Sequence, residues 1–193
     1  MSAADFRREA LAVGLNQSRA QQLRELANDI ESAAYLRGDF VLSSGMRSNY
    51  YFDKYLFETK PSILRRISAL LVELVPPGID RIAGPELGAV PLATALSLEI
   101  GIPFAIVRKG GKDYATGRLV EGELYEGERV VVVEDVISTG SQAIRAANQL
   151  RSVGAEVVGI IGVIDREQGG PENIAAVGYH FQALFRRREL VRI

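Results

Sequence analysis

Residues 130–141 read VVVVEDVISTGS, the stretch of the chain whose residue types and spacing are best suited to chemistry. Four valines form an apolar run of strand type. Two adjacent carboxylates, Glu134 and Asp135, come at its end. In open α/β sheets, ligands bind at the C-terminal ends of strands. Ser138, Thr139, Gly140 and Ser141 then form a tight turn into a helix. The first backbone N–H groups of that helix, with the hydroxyls beside them, can cradle a phosphate. Gly140 allows close approach of the backbone. Adjacent acids accept hydrogen bonds from vicinal hydroxyls, so the stretch suits a ribose bearing a 5-phosphate. The plainer alternative is a strand end with solvated acids and a serine helix cap. The stretch is neither a P-loop, since it lacks the Gly-Lys-Ser/Thr ending, nor a GxGxxG fingerprint.

Three other groups can do chemistry. Residues 108–122 hold Arg108, Lys109, Lys112, Arg118 and four glycines. Such a segment is either a solvated basic loop or a lid that an anion anchors. Arg166 offers a guanidinium fork to a carboxylate or carbonyl edge. Its residue context alone favours a surface ion pair with Asp165 or Glu167. Tyr50, Tyr51 and Phe52 read by themselves as the core of a hairpin.

These groups need a scaffold, and the pattern supplies one. Asp5 to Arg37 is rich in Ala, Leu, Arg and Glu and predicts one or two helices, broken near Gly14. Phe40 to Asp53 predicts a hairpin around a Ser-Gly turn. Pro61 to Leu74 is an amphipathic helix ended by Pro76-Pro77-Gly78. Strands follow at 81–84, 103–108, 129–134 and 156–165, with a last one near His180 to Leu184. Helices fall at 90–100 and 141–153, the second with Gly154 at its C′ position. Valine-rich strands without polar alternation are buried on both faces, as in parallel sheets. Their alternation with helices implies right-handed crossovers.

Composition narrows the function. The chain has 193 residues, 47% hydrophobic and 24% charged, with a net charge of −1. That balance gives no footprint for nucleic acid. With no cysteine and one histidine, thiolate zinc sites, iron–sulfur clusters, cysteine nucleophiles and two-histidine metal sites are excluded. His180 is assigned no role. A hard, oxygen-bound cation such as magnesium is the metal left. The N-terminus lacks a signal-peptide pattern, and the apolar run Val157 to Ile164 is too short for a membrane span. The chain reads as cytoplasmic.

VVVVEDVISTGS closely resembles the phosphoribosyl pyrophosphate-binding motif of the type I phosphoribosyltransferases. Four more segments resemble their orotate-using branch: FVLSSGMRSNYYFD, AGPELGAVPLATALS, VRKGGKDYATGRLVEG and VIDREQGG. The resemblance runs in order from about residue 40 to residue 170. It implies the α/β fold of that family, a parallel central sheet flanked by helices with a small N-terminal hood. A single domain would span 1–193, with the N-terminal helices and hood over about 1–60 and the core over 61–193. It implies transfer of phosphoribosyl from phosphoribosyl pyrophosphate to N1 of orotate, giving orotidine 5′-monophosphate and pyrophosphate in pyrimidine biosynthesis. Magnesium would be held mainly by substrate and water.

Carried over residue by residue, Glu134 and Asp135 would hold the ribose hydroxyls. Ser138, Thr139, Gly140 and Ser141 would bind the 5-phosphate, with Val136 and Ile137 also in the phosphoribosyl pyrophosphate site. Arg108, Lys109, Lys112 and Tyr114 would meet the diphosphate. Tyr51, Phe52, Ser138 and Arg166 would bind orotate. Lys112 and Asp135 would be catalytic. The loop 108–122 would reach the neighbouring site of a homodimer; no nucleic acid or membrane partner is implied. This chain departs from the family at three positions: Tyr114 stands where many members have histidine, and Ser43 and Gly88 stand where some have lysine. The rival readings are a transferase for another base and a non-catalytic regulator of this fold. Arg166 argues against the first, because an acidic pyrimidine calls for a cation. The absence of a basic N-terminal segment argues against the second.

Overall fold

The structure is a computed structural model that describes residues 17–41, 45, 47–110 and 118–190. The expectations for 5–16, Gly14, Ser43, Lys112 and Tyr114 lie outside the described residues.

Helix α1 (Arg19–Ala34) starts at Ser18, whose side chain accepts from Gln21 N, a standard N-cap. Its apolar face buries Leu26, Ala27, Ile30 and Ala34. Strands β1 (Tyr35–Val41) and β2 (Arg47–Phe52) form an antiparallel hairpin with an irregularity between Arg37 and Phe40. The hairpin begins five residues before the predicted Phe40. Pairing sets Tyr35 opposite Phe52 and Arg37 opposite Tyr50, and Tyr35 stacks on Tyr50 with ring centroids 5.4 Å apart. Cross-strand aromatic pairs stabilise a sheet face, and this one overrides the helical composition of residues 35–37.

The short helix α2 (Tyr55–Glu58) links the hairpin to α3 (Pro61–Leu71), which opens with its proline at the first turn. The predicted helix end, 72–74, tightens into a 3₁₀ turn (Val72–Leu74). The core then alternates β3 (Arg81–Pro85), α4 (Ala89–Ile100), β4 (Phe104–Val107), the two-residue β5 (Val120–Glu121), β6 (Arg129–Ile137), α5 (Ser141–Ser152), β7 (Glu156–Asp165), α6 (Gly170–Ala176), β8 (Phe181–Arg186) and α7 (Arg187–Leu190). Gly101 (φ 72°) and Gly154 (φ 93°) end α4 and α5 in the left-handed region. The six strands lie in the order β5-β4-β3-β6-β7-β8. All pairs are parallel except β4 with β5. The expectation of a parallel sheet flanked by helices holds, with an antiparallel edge where the sequence pattern of residues 109–122 predicts only loop.

The two faces of the sheet bury alternate residues of the same strands. Ile82, Val131, Val133, Ile161 and Val163 pack with α1, α3 and α4. Ala83, Val130, Val132 and Ile160 pack with Ala143, Ala146, Ala147 and Leu150 of α5 and Ile174 of α6. Val130 to Val133 are fully buried, which explains why their sequence shows no polar alternation. No helix among the described residues is long and apolar enough to cross a membrane.

Candidate active site

Strand order places the site. From β3 the chain crosses to β4 on one side, and from β6 to β7 on the other. Neighbouring connections diverge between β3 and β6, and such a switch point opens a crevice at the C-terminal strand ends. Four loops reach that end of the sheet: 86–88 after β3, 108–109 after β4, 138–140 after β6 and 166–169 after β7. They carry four of the segments singled out from sequence.

Glu134 and Asp135 are 5% and 2% exposed. Isolated buried carboxylates are expensive, so their partners matter. One Asp135 oxygen, Oδ1, accepts from Val136 N at 2.5 Å. The other, Oδ2, takes the Lys54 ammonium at 2.5 Å. Burial lowers the pKa of Lys54, but Asp135 more than offsets this and holds the ammonium above its ordinary range. Glu134 has an oxygen without a hydrogen-bond donor. Burial, and then the charge of Asp135, push its carboxyl up to about 8.

A third acid joins them. Glu58 is 1% exposed, and among the described residues no N–H or O–H donates to either of its oxygens. It faces Asp135, to which it can hydrogen-bond only by keeping its own proton. Burial and the neighbouring Asp135 charge accordingly push its carboxyl up to about 9. Lys54 and Glu58 are an i, i+4 pair at the start and end of α2, and sequence reasoning missed both. From sequence alone such a pair reads as an exposed helix ion pair.

Gly88 completes this corner. A Cβ there would lie 1.8 Å from Asp135 Oδ2 and 2.8 Å from Lys54 Nζ. The departure at Gly88 is therefore a steric requirement of the Lys54–Asp135 pair.

The turn at 138–141 opens a helix as expected and is braced by an element not foreseen. Gly140 (φ 78°) caps α5 in the left-handed region. Its Cβ would also meet Ile174 Cγ1 at 2.9 Å. Thr139 Oγ1 donates to Ser141 Oγ at 3.2 Å. Helix α6 closes on the loop from below: Asn173 Nδ2 donates to Thr139 O at 3.0 Å. A Cβ at Gly170 would sit 2.4 Å from Ile137 Cγ2 and 2.7 Å from Ser138 O. The second glycine of Gly169-Gly170, just before Pro171, was the available signal for this helix start.

Arg166 follows β7. Its backbone N–H donates to Ile137 O at 2.8 Å, which sets it beside Ser138. The ion pairs suggested by its neighbours do not form: Glu167 instead pairs with Arg188, and Asp165 Oδ1 accepts from Glu167 N. Glu167 itself sits at φ 57°, which marks a tight turn. Arg166 makes no ion pair among the described residues.

The stem of the basic loop is anchored on both sides. Arg108 N donates to Leu119 O at 2.9 Å, and Arg108 lies 3.7 Å from Glu121. Lys109 N donates to Glu86 Oε1 at 2.6 Å. Arg145 and Gln149 of α5 donate to the carbonyls of Lys109 and Arg108. Glu86 thus couples the loop after β3 to the loop after β4. In the hood, Tyr51 is 43% exposed and packs on Phe40. Phe52 packs against Phe57 and the main core. Tyr51 is thus held within the hairpin by Phe40, and Phe52 by Phe57 and the main core.

Among the described residues no cage of three or more His, Cys, Asp or Glu groups is disposed to hold a metal ion. The donor set present, two adjacent carboxylates beside a phosphate loop, fits a magnesium that reaches the protein through ligand oxygens and water.

A glycine-opened turn into a helix and an acid pair stand together at the switch point of a mostly parallel sheet, a place where α/β proteins bind ligands. Residues 57–178 match the family described as "Phosphoribosyl transferase domain", and the chain belongs to that family. Its relatives include the orotate phosphoribosyltransferase of Pyrococcus horikoshii, 48% identical over 172 residues, 87% of this chain and 92% of the relative. That of Nocardioides sp. is 43% identical over 165 residues, 86% and 92% of the two chains. The crystal structure of Mycobacterium tuberculosis orotate phosphoribosyltransferase with Fe(III) dicitrate superposes with a TM-score of 0.80 at 34% identity, covering 88% of this chain and 98% of that one. The same enzyme in complex with 5-phospho-α-D-ribosyl 1-diphosphate gives 0.76 at 33% identity over the same shares.

Proposed function

We propose that this chain is an orotate phosphoribosyltransferase, joining N1 of orotate to C1 of phosphoribosyl pyrophosphate in pyrimidine biosynthesis. The observation that carries the reading is the juxtaposition of Glu134, Asp135 and the Ser138–Ser141 cradle with Arg166, which is hydrogen-bonded beside it and has no ion pair among the described residues. The relatives of like length that bear this activity support it.

The chemistry is a substitution in which the C1–O bond to pyrophosphate breaks, positive charge builds on the ribose ring, and the N1–C1 bond forms. Orotate brings its own nucleophile, so the protein's work is positioning and charge stabilisation. Asp135 and Glu134 take the ribose hydroxyls, and Asp135 stabilises the positive charge that develops on the ring. Ser138 to Ser141 hold the 5-phosphate through backbone N–H groups and hydroxyls, and Val136 and Ile137 complete the phosphoribosyl pyrophosphate site where the strand runs into that turn. Arg166 and Ser138 take the acidic edge of orotate, and the Tyr51–Phe52 segment covers the ring. Arg108, Lys109, Lys112 and Tyr114 meet the departing diphosphate, with Lys112 the catalytic lysine. Magnesium, when bound, neutralises diphosphate oxygens. The active form is a homodimer in which loop 108–122 reaches the neighbouring site.

The test mixes purified protein with orotate, phosphoribosyl pyrophosphate and magnesium and follows the loss of orotate absorbance. Loss that requires all three, with orotidine monophosphate formed, is the expected result. No loss with orotate but turnover with a purine or with uracil would overturn the assignment.

A further inference from the structure

The feature that the reading above leaves unused is Lys54. It comes from the hood, is one-third exposed, and contacts a core carboxylate that is 3% exposed. Its ammonium stands on the Oδ2 edge of Asp135, because Oδ1 is already taken by Val136 N. Vicinal hydroxyls arriving at Asp135 must compete with it for that edge. Asp135 is the carboxylate that Lys54 contacts, and it lies beside Glu58 and Glu134, whose carboxyls burial and the Asp135 charge keep protonated. A sugar diphosphate that brings several negative charges up against the Asp135 carboxylate needs a cation beside it. Lys54 Nζ also lies against the 86–88 loop, within 2.8 Å of where a Gly88 side chain would begin. The missing side chain leaves the ammonium room to swing along that loop, which runs into the N-terminus of α4.

Resting on the assignment of Asp135 to the ribose hydroxyls, we propose that Lys54 is a further substrate-binding residue, which exchanges Asp135 for the diphosphate oxygens when the ribose hydroxyls take its place. Lys54 then serves two ends. It keeps the buried Asp135 charge compensated before the substrate arrives, and it supplies a cation to the diphosphate afterwards. The diphosphate, and not the base, is the group it recognises.

The experiment compares the full-length K54Q, K54R and D135N variants in the complete assay, with inorganic pyrophosphate as a product inhibitor. K54Q should raise both the KM for phosphoribosyl pyrophosphate and the inhibition constant of pyrophosphate by about tenfold, the loss of one charge-assisted hydrogen bond. The KM for orotate should stay within about twofold, because the base is not a partner of Lys54. K54R, which keeps the charge, should recover most of the loss, and it serves as the deciding variant if K54Q does not fold. Unchanged pyrophosphate inhibition in K54Q overturns the proposal, as does an equal rise in both KM values or a failure of K54R to restore binding. A fall in the KM for phosphoribosyl pyrophosphate also overturns it, showing a lysine that only blocks Asp135. If D135N binds phosphoribosyl pyrophosphate normally, the assignment of Asp135 fails; if D135N weakens binding and K54Q does not, only the role of Lys54 fails.

Discussion

Gly170 is where the architecture makes its sharpest demand on the phosphate loop. A methyl group there would stand 2.4 Å from Ile137 Cγ2 and 2.7 Å from the carbonyl oxygen of Ser138. Both are far inside van der Waals contact, and the second atom is backbone, so it cannot rotate away. Ile137 is 2% exposed and has little room to give. The loop must therefore move by several tenths of an ångström, or α6 must. Overpacking of this kind costs about 1–3 kcal/mol. For a chain of this size that is a fall in melting temperature of roughly 2–12 °C.

The displaced atoms are those proposed to hold the 5-phosphate. G170A should therefore raise the KM for phosphoribosyl pyrophosphate by about two- to thirteenfold, with half of a 1–3 kcal/mol distortion carried by the loop in the complex. The control is the neighbouring residue. Gly169 lies at φ 84°, with only Asn173 Nδ2 near its would-be Cβ, at 3.9 Å. G169A should cost about 1–2 kcal/mol of backbone strain and leave the phosphate loop in place. Thermal melting and steady-state kinetics on both variants decide the matter. If G169A and G170A lose stability equally and neither changes the KM for phosphoribosyl pyrophosphate, α6 does not brace the site and the reasoning fails.

Three further outcomes follow from the same geometry. R166A should raise the KM for orotate by at least about tenfold with little change for phosphoribosyl pyrophosphate, and R166K should recover little, because a lysine cannot supply the bidentate fork; equal effects on both substrates would remove Arg166 from the base site. Glu58, pushed up to about 9, keeps its proton in the folded state over a range where the unfolded chain has lost it, so stability should fall as pH rises from about 4.5 to 9, with a slope of at most about 1.4 kcal/mol for each pH step of one. E58Q should flatten that decline in melting temperature, though Glu134, raised to about 8 with the same sign, will preserve part of it; an unchanged slope would show that Glu58 is ionised in the native state. Arg81 and Glu128 form two 2.7 Å hydrogen bonds with side chains 6% and 16% exposed; R81A should cost about 3 kcal/mol in chemical denaturation, since it strands a shielded carboxylate, and a loss below about 1 kcal/mol would mean that water replaces the guanidinium.

What could be read from the sequence was what lies close together along it. The strand, acid pair and glycine-opened helix of residues 130–141 are contiguous, so their types and spacing predict a local structure, and the structure forms it. The alternation of strands and helices gave the parallel sheet because burial on both faces leaves its mark on each strand separately. What was not legible is what the fold assembles from distant segments. Nothing near Lys54 or Glu58 marks them as anything but a helix ion pair; they matter because α2 ends against Asp135, some eighty residues on. Gly88 looked like the loss of a side chain until Asp135 was found to occupy its place. No element was predicted at Gly170 and Asn173, which the structure places in α6 against the 138–141 turn. Each of these serves a residue that the sequence did single out. The legible motif supplies groups able to touch a ligand, while groups from elsewhere fix their charge and position. A buried Asp135 carboxylate with no counter-charge would take up a proton or draw in water, and a turn with nothing beneath it would not hold its N–H groups in one direction. The motif can act only with these partners in place, so substitutions at Lys54, Glu58, Gly88 and Gly170 should disturb substrate binding as surely as changes within residues 134–141.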